Sequence, residues 1–141
     1  MLILFGDKIR SQTKPFIYLY QLVAAKDPVH VRLYGIDAPE SKQAFGQKAK
    51  QAMIQLVANQ VVSIQDHGQD VYGRMLGTIY LNNNDVNAIM VANGMAWAYR
   101  YQGRLIVPEY GPLEQNARNE GKGLWSDPHA IEPRQWRKAN N

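Results

Sequence analysis

The segment Val31-Arg32-Leu33-Tyr34-Gly35-Ile36-Asp37-Ala38-Pro39-Glu40 sets a cation at the end of a strand-like run and two carboxylates in the turn after it. Hydrolysis of a phosphodiester needs a water activated by a base or a metal, and positive groups on the oxygens that gain charge in the transition state. One Glu, one Asp and two Arg supply that set. Arg suits the task better than Lys, because its planar fork holds two phosphate oxygens and keeps its charge. The second Arg must come from elsewhere in the chain. Arg74, in Asp70-Val71-Tyr72-Gly73-Arg74, is the candidate: Gly73 permits a tight turn, and Arg74 leads into a strand that could line the same site. Taken alone, the same residues have plainer readings. Arg32 and Asp37 suit a structural ion pair, Glu40 suits a first helical turn, and Tyr72-Gly73-Arg74 suits a turn with a solvated Arg.

These residues must be positioned by strands and helices whose periods are legible. Pro15 to Leu33 is rich in Ile, Tyr, Leu and Val and is broken at Lys26-Asp27-Pro28, which predicts a β-hairpin with Val29 to Leu33 as its returning strand. After Pro39 the period changes: Phe45, Ala49, Ala52, Met53, Leu56 and Val57 share one helical face, with Lys42, Gln47, Lys48, Lys50 and Gln51 largely off it. Val61 to Gln65 and Met75 to Leu81 read as strands joined by a polar connection, and Asn82-Asn83-Asn84 as a turn. A short helix follows Asp85 and stops at Asn93-Gly94; a last helix runs from Leu113 to about Glu120. Leu76, Ile79, Ile89 and Val91 are core candidates, and Trp97 and Trp125 suit the core or helix docking. Strands and helices that do not alternate regularly predict a mainly β, α+β domain built on a small antiparallel barrel.

Bulk properties narrow the function. The chain has 141 residues, the length of one domain spanning 1–141, with only the polar end after Pro133 reading as loose. Arg134, Arg137 and Lys138 in that end read as a solvated basic tail. Cysteine is absent, which excludes disulfides, thiolate zinc sites and cysteine nucleophiles. His30, His67 and His129 lack ligand spacing and read as surface residues. No apolar run is long enough to span a bilayer. Met1 to Phe5 lacks the charged start, long apolar core and cleavage site of a signal peptide, and reads as a first strand. The net charge of +4 and a pI near 9.4 favour a polyanionic partner.

VRLYGIDAPE, followed by DVYGR, Asn87, GMAWAYRY and GKGLW, resembles the staphylococcal nuclease-like (thermonuclease) family over roughly Val29 to Trp125. The resemblance implies a five-stranded OB-fold barrel with three helices. It also implies a calcium-dependent endonuclease that cuts DNA or RNA and leaves 3′-phosphate ends. By motif position Arg32, Glu40 and Arg74 match the catalytic residues and Asp37 a calcium ligand. Glu40 would then accept the proton of the attacking water, while Arg32 and Arg74 stabilise the pentacoordinate phosphorus. Tyr99 and Tyr101 fall where the family contacts the bound nucleotide, although they equally suit packing on one face of a sheet. A secreted or periplasmic monomer is compatible with the resemblance. The alternative it leaves open is a catalytically impaired nuclease-like module that binds nucleic acid or protein.

The chain departs from the family pattern in two places. The usual Asp-Gly-Asp-Thr stretch, which carries a further calcium-ligating Asp, is replaced by Pro15-Phe16-Ile17-Tyr18-Leu19-Tyr20. Gly6-Asp7-Lys8-Ile9 imitates its second half, so Asp7 is the candidate for the missing ligand. Val71 stands where family members often have a Lys able to touch a substrate phosphate.

Overall fold

A computed structural model of the chain describes residues 2–5, 8–11, 17–21 and 28–140. In chain order the elements are β1 (Leu2–Phe5), β2 (Lys8–Ser11), β3 (Ile17–Gln21), β4 (Pro28–Leu33), β5 (Ile36–Asp37), α1 (Gly46–Val57), β6 (Val61–Gln69) and β7 (Met75–Leu81). They continue with β8 (Asn84–Asp85), α2 (Val86–Ala92), β9 (Trp97–Ala98), β10 (Arg100–Tyr101), β11 (Arg104–Leu105), α3 (Tyr110–Asn119), a 3-10 turn over Gly123–Ser126, and α4 (Pro133–Asn140). The α+β class is as expected. The described residues hold four α-helices where three were expected, the fourth being α4. The last expected helix starts three residues early, at Tyr110.

The described chain forms two compact units, each discontinuous in sequence: residues 1–34 with 56–87, and residues 35–55 with 88–141. The first holds a sheet in the order β1-β4-β7-β6-β3-β2, with β8 paired to β7. β4 and β7 run parallel, with Arg32 opposite Leu76, and the other pairings are antiparallel. The turn of the expected Pro15–Leu33 hairpin lies outside the described residues, and among the described residues β3 and β4 do not pair with each other. β3 pairs with β2 and β6, and β4 with β1 and β7. Apolar β-branched runs announce that strands exist, but partners are chosen by long-range register, which has no local signal.

The two strands expected at Val61–Gln65 and Met75–Leu81 form and pair as a hairpin, but β6 runs on to Gln69 through the segment expected as a polar connection; the Asn turn forms at Asn82 and Asn83, while Asn84 opens β8. Asn82 and Asn83 have φ of 50° and 65°, the left-handed pair that matches the twist of a two-residue hairpin turn. Val31, Val62, Ile64, Ile79 and Val86 fill the core of this unit, each at most 1 % exposed. Asn87 is equally buried. Its Oδ1 accepts the Ile79 N–H at 3.2 Å, and its Nδ2 donates to the carbonyls of Tyr34 and Gly77, each at 3.0 Å. This one amide therefore joins the turn after β4 to the middle of β7. His67 stacks on Tyr34, with ring centroids 3.9 Å apart, and its Nε2 lies 2.9 Å from Thr78 Oγ1.

The second unit is built on α1 to Gln55, most of α2, α3, α4 and the small pairings β5–β9 and β10–β11. Within α1, Ala49, Met53 and Val57 are buried while Gln47, Lys48, Lys50 and Gln51 are exposed, as the period of 3.6 predicts. Ile79 and Val91 are core residues as expected, whereas Leu76 and Ile89 are half-buried. Glu114 of α3 is a buried carboxylate in this unit. It accepts the Ala98 N–H at 2.8 Å, pairs with Arg100 at 2.9 Å, and has Arg118 at 3.5 Å. The Arg118 guanidinium lies over Trp97 and Trp125, at 4.8 Å and 4.0 Å from the ring centroids. The two tryptophans thus dock helix and strand, as their apolar bodies suggest.

Candidate active site

In the first unit Arg32 is half-buried on β4. Arg74 stands just before β7, on a turn that Asp70 organises. Asp70 Oδ1 accepts the backbone N–H groups of Tyr72 at 2.8 Å and Arg74 at 2.9 Å, and Oδ2 accepts Arg74 Nε at 2.6 Å. Gly73 has φ of 77°, a conformation that needs glycine, and its N–H closes the turn onto the Asp70 carbonyl at 3.1 Å. Only the Nε edge of Arg74 is used in this way. Its two terminal nitrogens make no hydrogen bond among the described residues, so the bidentate end of the fork is held but not consumed. His30, Tyr72, Gly73 and Arg74 line an open depression, and the Arg74 guanidinium lies 5.4 Å from the centre of the exposed Tyr72 ring.

Partial burial draws the Asp70 carboxyl upward in pKa. The hydrogen bonds from the Arg74 backbone, the Arg74 side chain and the Tyr72 backbone outweigh it and hold the group below the ordinary carboxylate value. The carboxylate form is therefore the one that grips Arg74.

In the second unit Asp37 lies on β5, opposite Trp97 of β9, and its side chain is 3 % exposed. Glu40 follows in the loop before α1. Its backbone N–H donates to Gln43 Oε1 at 3.1 Å, while its carbonyl accepts the Gln43 N–H at 2.9 Å. Gly46 packs directly against the Glu40 carbonyl, where a β-carbon would overlap that oxygen. The loop is therefore pressed onto the first residue of α1. Gln43 Nε2 also donates to the Ile131 carbonyl at 2.6 Å, which ties the loop to the chain just ahead of α4.

The guanidinium of Arg137, on α4, meets both carboxylates. Nη1 donates to Asp37 Oδ1 at 3.2 Å and to Glu40 Oε1 at 2.8 Å, and Nη2 donates to Asp37 Oδ2 at 3.0 Å. The hydrogen bonds to Asp37, and then those to Glu40, raise the Arg137 pKa further above its already high value against the opposing effect of burial. Sequence reading takes the segment after Pro133 as loose and its cations as solvated; in the structure the segment is helical and Arg137 is the partner of the two acids. No motif or spacing signals this, because 100 and 97 residues separate Arg137 from its partners.

The Arg137 guanidinium thus joins Asp37 and Glu40 within one unit, while Arg32 and Arg74 belong to the other. Asp7 lies outside the described residues. Among the described residues no three His, Asp or Glu side chains are grouped as a metal cluster. Two carboxylates that reach one cation are nevertheless the hard-oxygen donors calcium prefers, so Asp37 and Glu40 suit it in kind. Tyr99 is half-buried, with its N–H on the Gly35 carbonyl at 2.9 Å. Tyr101 is 57 % exposed and sits opposite Arg104 on the β10–β11 ribbon.

Carboxylates paired with a guanidinium in one unit, and an arginine oriented by a carboxylate in the other, are residue types that a phosphodiester hydrolase uses. The chain matches the family described as staphylococcal nuclease homologue over residues 30–127. It is similar to Protein ParB of Escherichia coli, 50 % identical over 125 residues, covering 82 % of this chain and 71 % of that protein. It is similar to the micrococcal nuclease of Shigella flexneri, 44 % identical over 124 residues with the same two coverages, 82 % and 71 %. An uncharacterized endonuclease of Haemophilus influenzae is 42 % identical over 117 residues, covering 83 % of this chain and 65 % of that protein. The chain belongs to the staphylococcal nuclease family. α4 and Arg137 lie beyond the residues the family match covers.

Proposed function

We propose that the chain is a calcium-dependent endonuclease that hydrolyses phosphodiester bonds of DNA or RNA and leaves 3′-phosphate ends, on a five-stranded OB-type barrel. The observation that carries this reading is that Asp37 and Glu40 lie side by side, both bonded to the Arg137 guanidinium, within a chain of this family. The barrel is supported by the register shifts in β2–β3 and β6–β7, irregularities of the kind that let strands curl.

In this reading Glu40 accepts the proton of the attacking water. Arg32 and Arg74 neutralise charge on the phosphoryl oxygens as the pentacoordinate state forms. The Asp70 contact supports that role for Arg74, since a guanidinium already oriented through Nε loses less freedom when it meets phosphate. Asp37, with Asp7 as second carboxylate, would hold calcium, which when bound would supply Lewis acidity at the phosphate. Tyr99 and Tyr101 contact the nucleotide, and the exposure of Tyr101 supports stacking on a base. Because the chemistry grips the phosphodiester, sequence preference is weak.

The test is digestion of single-stranded DNA with calcium and with chelator, by wild type and Glu40→Gln, with the product ends identified by their need for phosphatase before polymerase extension. The expected result is calcium-dependent cleavage to blocked 3′ ends, lost in Glu40→Gln. Equal rates for the two proteins, or cleavage indifferent to metal, overturn the reading. Binding of the DNA without cleavage identifies the non-catalytic module instead.

A further inference from the structure

We infer that Arg137 is a positioning residue for the reaction: it transmits the fixed position of Asp37 to Glu40 and so makes α4 part of the catalytic centre. The inference rests on the reading of Glu40 as general base.

The Glu40 side chain is 41 % exposed, enough for a flexible glutamate to sample several rotamers in water. Asp37 is the opposite case, 3 % exposed on a strand and gripped by both arms of the Arg137 fork. Arg137 itself is 31 % exposed, so the shared guanidinium is partly shielded from solvent. The same Nη1 that bonds Asp37 Oδ1 also bonds Glu40 Oε1, so one rigid planar group fixes one base oxygen relative to a buried post. Glu40 Oε2 is left as the other proton-accepting oxygen. A second tie runs in parallel: Gln43 links the Glu40 backbone to the Ile131 carbonyl, just before α4. Two contacts therefore couple the base and its loop to the C-terminal segment. A base must sit within a fraction of an ångström of its productive place, and a misplacement of about 1 Å can cost on the order of a hundredfold in rate.

Lysine in place of Arg137 keeps the charge but cannot reach three carboxylate oxygens with one planar group. The experiment measures kcat and KM on single-stranded DNA for wild type, Arg137→Lys, Arg137→Gln, Arg137→Ala and Glu40→Gln. Folding is checked by circular dichroism, and calcium affinity by calorimetry. Arg137→Lys and Arg137→Gln should lower kcat by about ten- to a hundredfold while KM changes little, with calcium affinity unchanged or reduced. Millimolar guanidinium should partly restore kcat to Arg137→Ala, which loss of stability alone would not allow. If the Gln and Ala proteins do not fold, the Lys protein decides alone: full activity overturns the inference.

Three results separate the claims. Wild-type kcat in Arg137→Gln alongside an inactive Glu40→Gln overturns the role of Arg137 and leaves the base in place. Wild-type activity in Glu40→Gln overturns the base reading and this inference with it. Tighter calcium binding and faster cleavage in Arg137→Gln mean that the guanidinium competes with the metal, which also overturns positioning.

Discussion

Asp70 and Arg74 hold each other at three points: Arg74 Nε on Asp70 Oδ2 at 2.6 Å, the Arg74 N–H on Oδ1 at 2.9 Å, and the Asp70 N–H on the Arg74 carbonyl at 2.9 Å. The arrangement spends one edge of the guanidinium on orientation and keeps the fork. In Asp70→Asn an amide N–H₂ can face Arg74 Nε, donor against donor, and the side chain is released. The expected outcome is a loss of about tenfold in kcat/KM on single-stranded DNA with an unchanged circular dichroism spectrum. Undiminished activity would mean that Arg74 does not need this support.

The same carboxyl predicts a pH response. Its pKa is lowered in the fold, so the unfolded chain takes up the proton first. The stabilisation is complete above the unfolded value, near pH 4, and is lost as pH falls through the folded value. Thermal melts of wild type and Asp70→Asn should therefore differ by a constant amount above about pH 5 and converge below about pH 4. Convergence at higher pH would contradict the assignment.

His67 titrates in a separate window. Burial lowers its pKa against the smaller opposing effect of Asp66, so the folded state favours the neutral ring. The unfolded chain binds the proton first as pH drops below 6.5, and stability declines from there. His67→Phe can keep the stack on Tyr34 and removes the titration. Its denaturation midpoint should lack the decline that wild type has below about pH 6.5.

Asn87 makes three hydrogen bonds to backbone groups while fully buried. Asn87→Ala leaves the Ile79 N–H and the Tyr34 and Gly77 carbonyls short of a partner and opens a void. A loss of about 2–4 kcal/mol in urea denaturation is expected. A change below about 0.5 kcal/mol would show that water or a rearranged backbone replaces the amide.

Alanine normally improves a helix position held by glycine, by about 1 kcal/mol. At Gly46 the sign should reverse, because the added methyl meets the Glu40 carbonyl oxygen. Gly46→Ala is expected to lower the melting temperature and, by displacing the Glu40 loop, to lower kcat as well. A more stable and fully active protein would show that the loop yields without consequence.

Much of this was legible before any coordinate. The apolar face of α1, the strands at Val61–Gln65 and Met75–Leu81, the Asn82-Asn83 turn and the stop at Asn93-Gly94 follow from local periods and turn chemistry, which act within a few residues. The ordered motifs from VRLYGIDAPE to GKGLW were enough to place the chain in its family. Gly73 reads as a turn residue from the sequence, but the grip of Asp70 on Arg74 has no such signal, since a carboxylate four residues before an arginine in a loop has no preferred geometry.

Local sequence determined where strands, helices and turns occur and which residue types could hydrolyse a phosphodiester. Tertiary structure alone decided that β4 joins β1 and β7 rather than β3, and that Arg137 rests on Asp37 and Glu40. The physical reason is the same in both cases. Strand partners and long-range ion pairs are selected by register and packing across long stretches of chain, and those forces leave no periodic trace near the residues they join.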